Sequence, residues 1–156
     1  MPLNLRHFWA ALILVTAANA TIWWFRGREH RRRDPSLTEG YRSLVGGLLL
    51  WGNLPWLVMG SGVLIGAVPT TLDYLNPRSG NPFVLAWCGS VLLLWVVGTY
   101  WLLNRGGAEQ LFAHPGLFRR HPKSPAAIKV SWGLFLAAAI GAILMMLTMD
   151  LAPRDQ

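Results

Sequence analysis

Few residues in this sequence carry the functional groups of catalysis, and they are scattered. His114 and His121 each precede a proline, and Glu109 lies five positions before His114. Imidazoles and a carboxylate are metal-ligand types, but this spacing is not that of a helical metal pair and no third close ligand stands beside them. The expectation is two surface histidines and no metal. Cys88 is the single cysteine, which excludes an intrachain disulfide, a CxxC redox pair and a cysteine-rich zinc site. Asp73 and Arg78 share a turn-rich segment and can pair, but nothing near them supplies a nucleophile with its base. The chain is therefore expected not to be an enzyme, with no catalytic residue.

The other unusual chemistry is uncharged. WGNLPW, at 51–56, lies near the middle of a long apolar run. Pro55 has no N–H, so the carbonyl of Trp51 loses its helical partner, and Gly52 weakens the same turn. A kink is expected at Pro55, with freed carbonyls in need of a donor, a water or an ion. Asn53 adds an amide at that level. With a rise of 1.5 Å per residue, Asn19 and Asn53 both fall about 4 Å to one side of the midpoints of their own runs. Thr99 lies slightly deeper on that side. Asn19, Asn53 and Thr99 are thus expected to form an interhelical polar cluster beside the kink. Packing glue is its plain reading, and a ligand, ion or water site the sharper one.

The elements that must position these groups follow from the apolar runs. They cover 8–25, 44–68, 83–103 and 130–149, and each is 18 to 25 residues long without a charge. Helices of that length cross about 30 Å of hydrocarbon. The 156 residues include 13% charged and 53% hydrophobic ones, with nine tryptophans. A soluble domain averages about 25% charged residues. Trp9, Trp23, Trp24, Tyr100, Trp101 and Trp132 sit near run ends, where amphipathic rings favour the interface. Arginines follow the first run directly, where a signal peptide would have its cleavage site, so that run reads as a retained helix. The fold expected is an all-α integral membrane protein. It is one domain over 1–156, a bundle of four transmembrane helices with the second kinked.

Fourteen Lys and Arg stand against seven Asp and Glu, a net charge of +7. Eleven of the fourteen fall in two segments, 26–43 and 104–129, on one side of the bundle. Arg6, Arg78 and Arg154 remain for the other side. The positive-inside rule places both basic loops in the cytoplasm and both termini outside it, in the plasma membrane or a bacterial inner membrane. Arg26, Arg28, Arg31, Arg32, Arg33, Arg119 and Arg120 are the expected contacts to anionic headgroups. A nucleic-acid partner is not expected, because no aromatic residues interleave with the cluster and no domain surrounds it.

No ionisable residue lies near the centre of a run; His7 and Asp150 are at the edges. That disfavours proton pumping, bis-histidine haem binding and a retinal-type Schiff base. Gly60, Gly62 and Gly66 give the second helix a close-packing face that includes a GxxxG spacing, and Gly133, Ala137 and Gly141 give the fourth another. Trp51, Trp56 and Trp95 are placed at depth as core fillers or as a face for a lipid tail, quinone or pigment. No cofactor is assigned. The function expected is a non-catalytic accessory or assembly subunit whose partners are membrane lipids and other integral membrane proteins, or a second copy of itself. The alternative is a small homo-oligomeric channel or transporter with its site at the broken second helix.

Overall fold

The computed structural model describes residues 7–148, and among them there is helix but no strand. The helices are α1 (Phe8–Arg26), α2 (Arg28–Arg33), α3 (Thr38–Trp51), α4 (Leu54–Leu64), α5 (Pro82–Asn104), α6 (Gly107–Ala113) and α7 (Pro125–Thr148). Four stretches are long and apolar enough to cross a membrane: Phe8–Arg33, Pro35–Leu64, Pro82–Asn104 and Pro125–Met145. They overlap the four apolar runs and point to a membrane location. Position 149, Arg6, Asp150 and Arg154 lie outside the described residues.

Local chemistry sets the helix ends. Pro82 opens α5, and the Asn81 side chain accepts a hydrogen bond from the Phe83 N–H at 2.9 Å. The helix α7 begins at Pro125, five residues before the apolar run. There the Ser124 hydroxyl accepts from the Ala127 N–H at 3.2 Å, and proline suits a first turn that needs no donor. The second run ends its helix at Leu64 rather than at 68. Gly66 has φ +75°, the Ala67 N–H reaches back to the Gly62 carbonyl at 3.0 Å, and the Gly66 N–H reaches Val63 at 3.2 Å. This Schellman closure makes Gly66 a helix stop. The expectation that Gly66 packs another helix is corrected on that ground.

Between α3 and α4, Gly52 and Asn53 fall outside both helices while keeping helical dihedrals. The Gly52 N–H still donates to Leu48 at 3.0 Å and the Leu57 N–H to Asn53 at 2.9 Å, so the interruption is confined to two residues. A methyl at Gly52 would overlap the Leu48 carbonyl oxygen.

The second span is the centre of the packing. Of its most apolar window 28% is buried, against 6% for each of the other three. The helix α1 packs on α3 and α4, α5 on α4, and α7 mainly on α6 and α5. At the end away from the basic loops, Met59, Val63, Val68, Tyr74 and Val84 form a core flanked by Trp9, Trp56, Phe83 and Trp87. Gly60 lies under the Trp9 ring, and Gly62 under the Tyr74 hydroxyl and Phe83. Tyr74 is fully buried and donates to the Met59 carbonyl at 3.0 Å.

Candidate functional site

The expected polar cluster does not form among the described residues. Asn19 is exposed. Asn53 is 8% exposed, but its amide donates to the Leu49 carbonyl in the preceding turn, on α3, at 2.8 Å. The Thr99 hydroxyl accepts from the Trp132 indole N–H at 2.9 Å and so ties α5 to α7. Rise along a helix leaves azimuth open, and these three residues do not meet. Trp51 is 52% exposed, so it is not a core filler. Pro55 is buried, Trp56 joins the far-end core, and Trp95 meets Phe135 edge-on with ring centroids 6.3 Å apart. One element of the region is unusual. The Asn53 Oδ1 is buried with no hydrogen-bond partner.

Most chemistry gathers instead where the two basic segments meet. Tyr41 is fully buried at the start of α3 and its hydroxyl donates to the Pro115 carbonyl, joining loops 74 residues apart. Its ring covers Gly27, where a methyl would lie 2.5 Å from the Tyr41 Cε1. His114 stands edge-on to that ring, with centroids 4.9 Å apart. It is 7% exposed, so the expectation of a surface histidine is corrected. Pro115 and Gly116 (φ +88°) turn the chain back under α3, and Gly40 leaves the room that the imidazole fills. The His114 Nδ1 donates to the Gln110 carbonyl at 2.6 Å. His121 is exposed beside Phe112, and Glu109 pairs with Lys129 at 2.9 Å. That ammonium holds the Glu109 carboxyl below the usual carboxylate range, chiefly through the hydrogen bond. Among the described residues no three of His, Cys, Asp and Glu gather in one place.

The arginines divide into two groups. Arg26, Arg28, Arg32, Arg33, Arg119 and Arg120 are exposed, and Arg33 pairs with Glu29 at 2.6 Å. Arg31 is half-buried, with its guanidinium carbon 3.6 Å from the Trp24 ring centroid and 5.2 Å from that of Tyr41. A cation over an indole face is held electrostatically, more strongly as water is excluded. The Arg31 Nη1 is buried without a hydrogen-bond partner. The layer of Trp24, Arg31, Tyr41 and His114 is absent from the sequence reading. Its signal was the set of glycines at 27, 40 and 116, which make room for Tyr41, for His114 and for the Arg26 backbone.

Two apolar grooves open on the surface. One, of about 560 Å³, runs between α5 and α7 past Leu92, Trp95, Val96, Tyr100, Leu136 and Ile140. The other, of about 300 Å³, lies between α1 and α3 and reaches Trp24. On the far side, Asp73 serves its own turn, accepting from the Thr70 N–H at 2.8 Å and from its hydroxyl at 3.0 Å. No family model matches this chain, and comparisons with curated proteins and with solved structures give no match either.

Proposed function

We propose that the chain is a non-catalytic subunit of a larger membrane assembly, with both termini outside the cytoplasm and its basic end against anionic headgroups. The observation that carries this reading is the uncovered small-residue face of α7. Gly133 and Gly141 lie two helical turns apart, and nothing stands within 4 Å of a side chain placed at either. Leu134, Phe135, Ile140 and Leu144 beside them are exposed. In lipid, helices associate where small residues let backbones approach, so this face suits a helix from another membrane protein. The α5–α7 groove next to it suits a lipid tail, quinone or pigment.

Purification from the native membrane in mild detergent, with mass spectrometry of all that accompanies the chain, tests the reading. The expected outcome is a stoichiometric membrane partner, lost in Gly133→Leu and Gly141→Leu variants. Recovery of the chain alone as a homo-oligomer overturns it.

One observation favours a second reading, a homo-oligomeric channel or transporter. The unpartnered Asn53 Oδ1 sits at the interruption before Pro55, where a bend would line a path with free acceptors. On that reading Pro55→Ala and Asn53→Leu abolish solute flux in liposomes while insertion is unchanged. On the subunit reading there is no flux to lose.

A further inference from the structure

The geometry points to a bound anionic phospholipid, with one acyl chain in the α1–α3 groove and its phosphate on the Arg31 guanidinium. The groove is lined by Ala17, Ala20, Thr21, Trp24, Val45 and Leu49. Its one hydroxyl is already used, since Thr21 donates to the Ala17 carbonyl at 2.8 Å. What remains is an apolar groove along about 10 Å of α1, a surface for hydrocarbon rather than for a polar solute. Trp24 closes the groove toward the basic end, and the same indole carries Arg31. Apolar channel and fixed cation thus adjoin through one side chain, in the order of tail and headgroup.

The charge at that junction is uncompensated. Glu29 is engaged by Arg33 and Glu39 by Arg42. The Asp34 carboxylate takes the Ser36 N–H at 3.0 Å and its hydroxyl at 2.6 Å. No carboxylate reaches Arg31 among the described residues, and its Nη1 lacks a partner. An unpaired N–H on a buried cation is costly. Because Arg31 as a whole is half-buried, a phosphate can approach its guanidinium, and guanidinium binds phosphate through paired N–H groups. A free phosphate would satisfy the cation and leave the groove empty; a phospholipid satisfies both. The inference rests on the reading of the chain as a membrane protein in contact with anionic lipid.

The test is native mass spectrometry of the full chain in detergent. It is titrated with phosphatidylglycerol, with phosphatidylcholine of the same acyl chains, and with inorganic phosphate. One phosphatidylglycerol should be retained, about fivefold more tightly than phosphatidylcholine. Inorganic phosphate should not displace it. Arg31→Gln should remove the preference, while Lys123→Gln, the same charge change at an exposed position, should keep it. Ala17→Phe fills the groove with Arg31 intact and should weaken phosphatidylglycerol binding independently.

Equal loss in Arg31→Gln and Lys123→Gln, unchanged binding in Ala17→Phe, displacement by inorganic phosphate, or no headgroup preference each overturn the site. Flotation with neutral vesicles separates the underlying reading. Protein that does not float overturns membrane insertion itself; protein that floats without headgroup preference overturns only the lipid site.

Discussion

The two ends of the bundle use the same device with different consequences. At each, a fully buried tyrosine lies over a glycine and donates its hydroxyl to a distant main-chain carbonyl: Tyr41 over Gly27 to Pro115, and Tyr74 over Gly62 to Met59. At the far end the surroundings are Met59, Val63, Val84 and the edge of Trp87, 5.9 Å from Tyr74 between centroids. That end is a closed core. At the basic end the same device brings in Arg31, His114 and Trp24, and an unpaired cation remains beside a groove. Shared mechanics do not confer shared function. A buried tyrosine fastens loops, and the charge left over beside it is what makes a candidate site.

The comparison breaks most visibly at the glycines. Gly62→Ala drives a methyl into the Tyr74 hydroxyl and to 3.1 Å from Phe83, and Gly40→Ala drives one into the His114 ring. Each should cost about 1–3 kcal/mol by overpacking, read as a lower unfolding midpoint in detergent. Gly133→Ala, in open space, should change monomer stability by less than about 0.5 kcal/mol. If Gly40→Ala is silent while Gly62→Ala is not, the basic end yields where the far end cannot, and the parallel between them fails.

Removing a single hydroxyl gives a smaller effect. Tyr74→Phe and Tyr41→Phe should each lose about 1 kcal/mol, and Tyr41→Phe should also free the 104–124 segment to faster hydrogen exchange. A pH series sharpens the far end. Burial pushes the Tyr74 phenol above its ordinary value of about 10. The folded state therefore holds that proton more tightly than the unfolded one. Its contribution is fully present below about pH 10 and declines as pH rises through and beyond that value. Tyr74→Phe should flatten the alkaline decline, and a parallel decline in both proteins would show that Tyr74 does not cause it.

Smallest of all is the Glu109–Lys129 pair, exposed on the acid's side. The carboxyl is held low by Lys129, so its contribution is present above about pH 4 and lost as pH falls. Glu109→Gln should give the least shift in the series, vanishing at high salt.

The four long helices were legible because an unbroken apolar run of this length has few other solutions. The helix stops were less so. Gly66 matches a packing motif in the sequence, and only its left-handed conformation with the Ala67 bond to Gly62 makes it a terminator. Asn19, Asn53 and Thr99 were expected together from helical rise alone and do not meet, since a linear rise carries no azimuth. His114 looked like a surface residue because Gly40, the residue that makes room for it, lies 74 positions away.

The sequence by itself determined that this chain is helical, apolar over four long stretches and basic at two loops. Those properties depend on local composition and on distances along one helix. Tertiary structure alone decided that Arg31 differs from six neighbouring arginines, that Thr99 serves Trp132, and that two loops close over Tyr41. Each depends on which faces meet, which is a matter of packing between segments far apart in the chain.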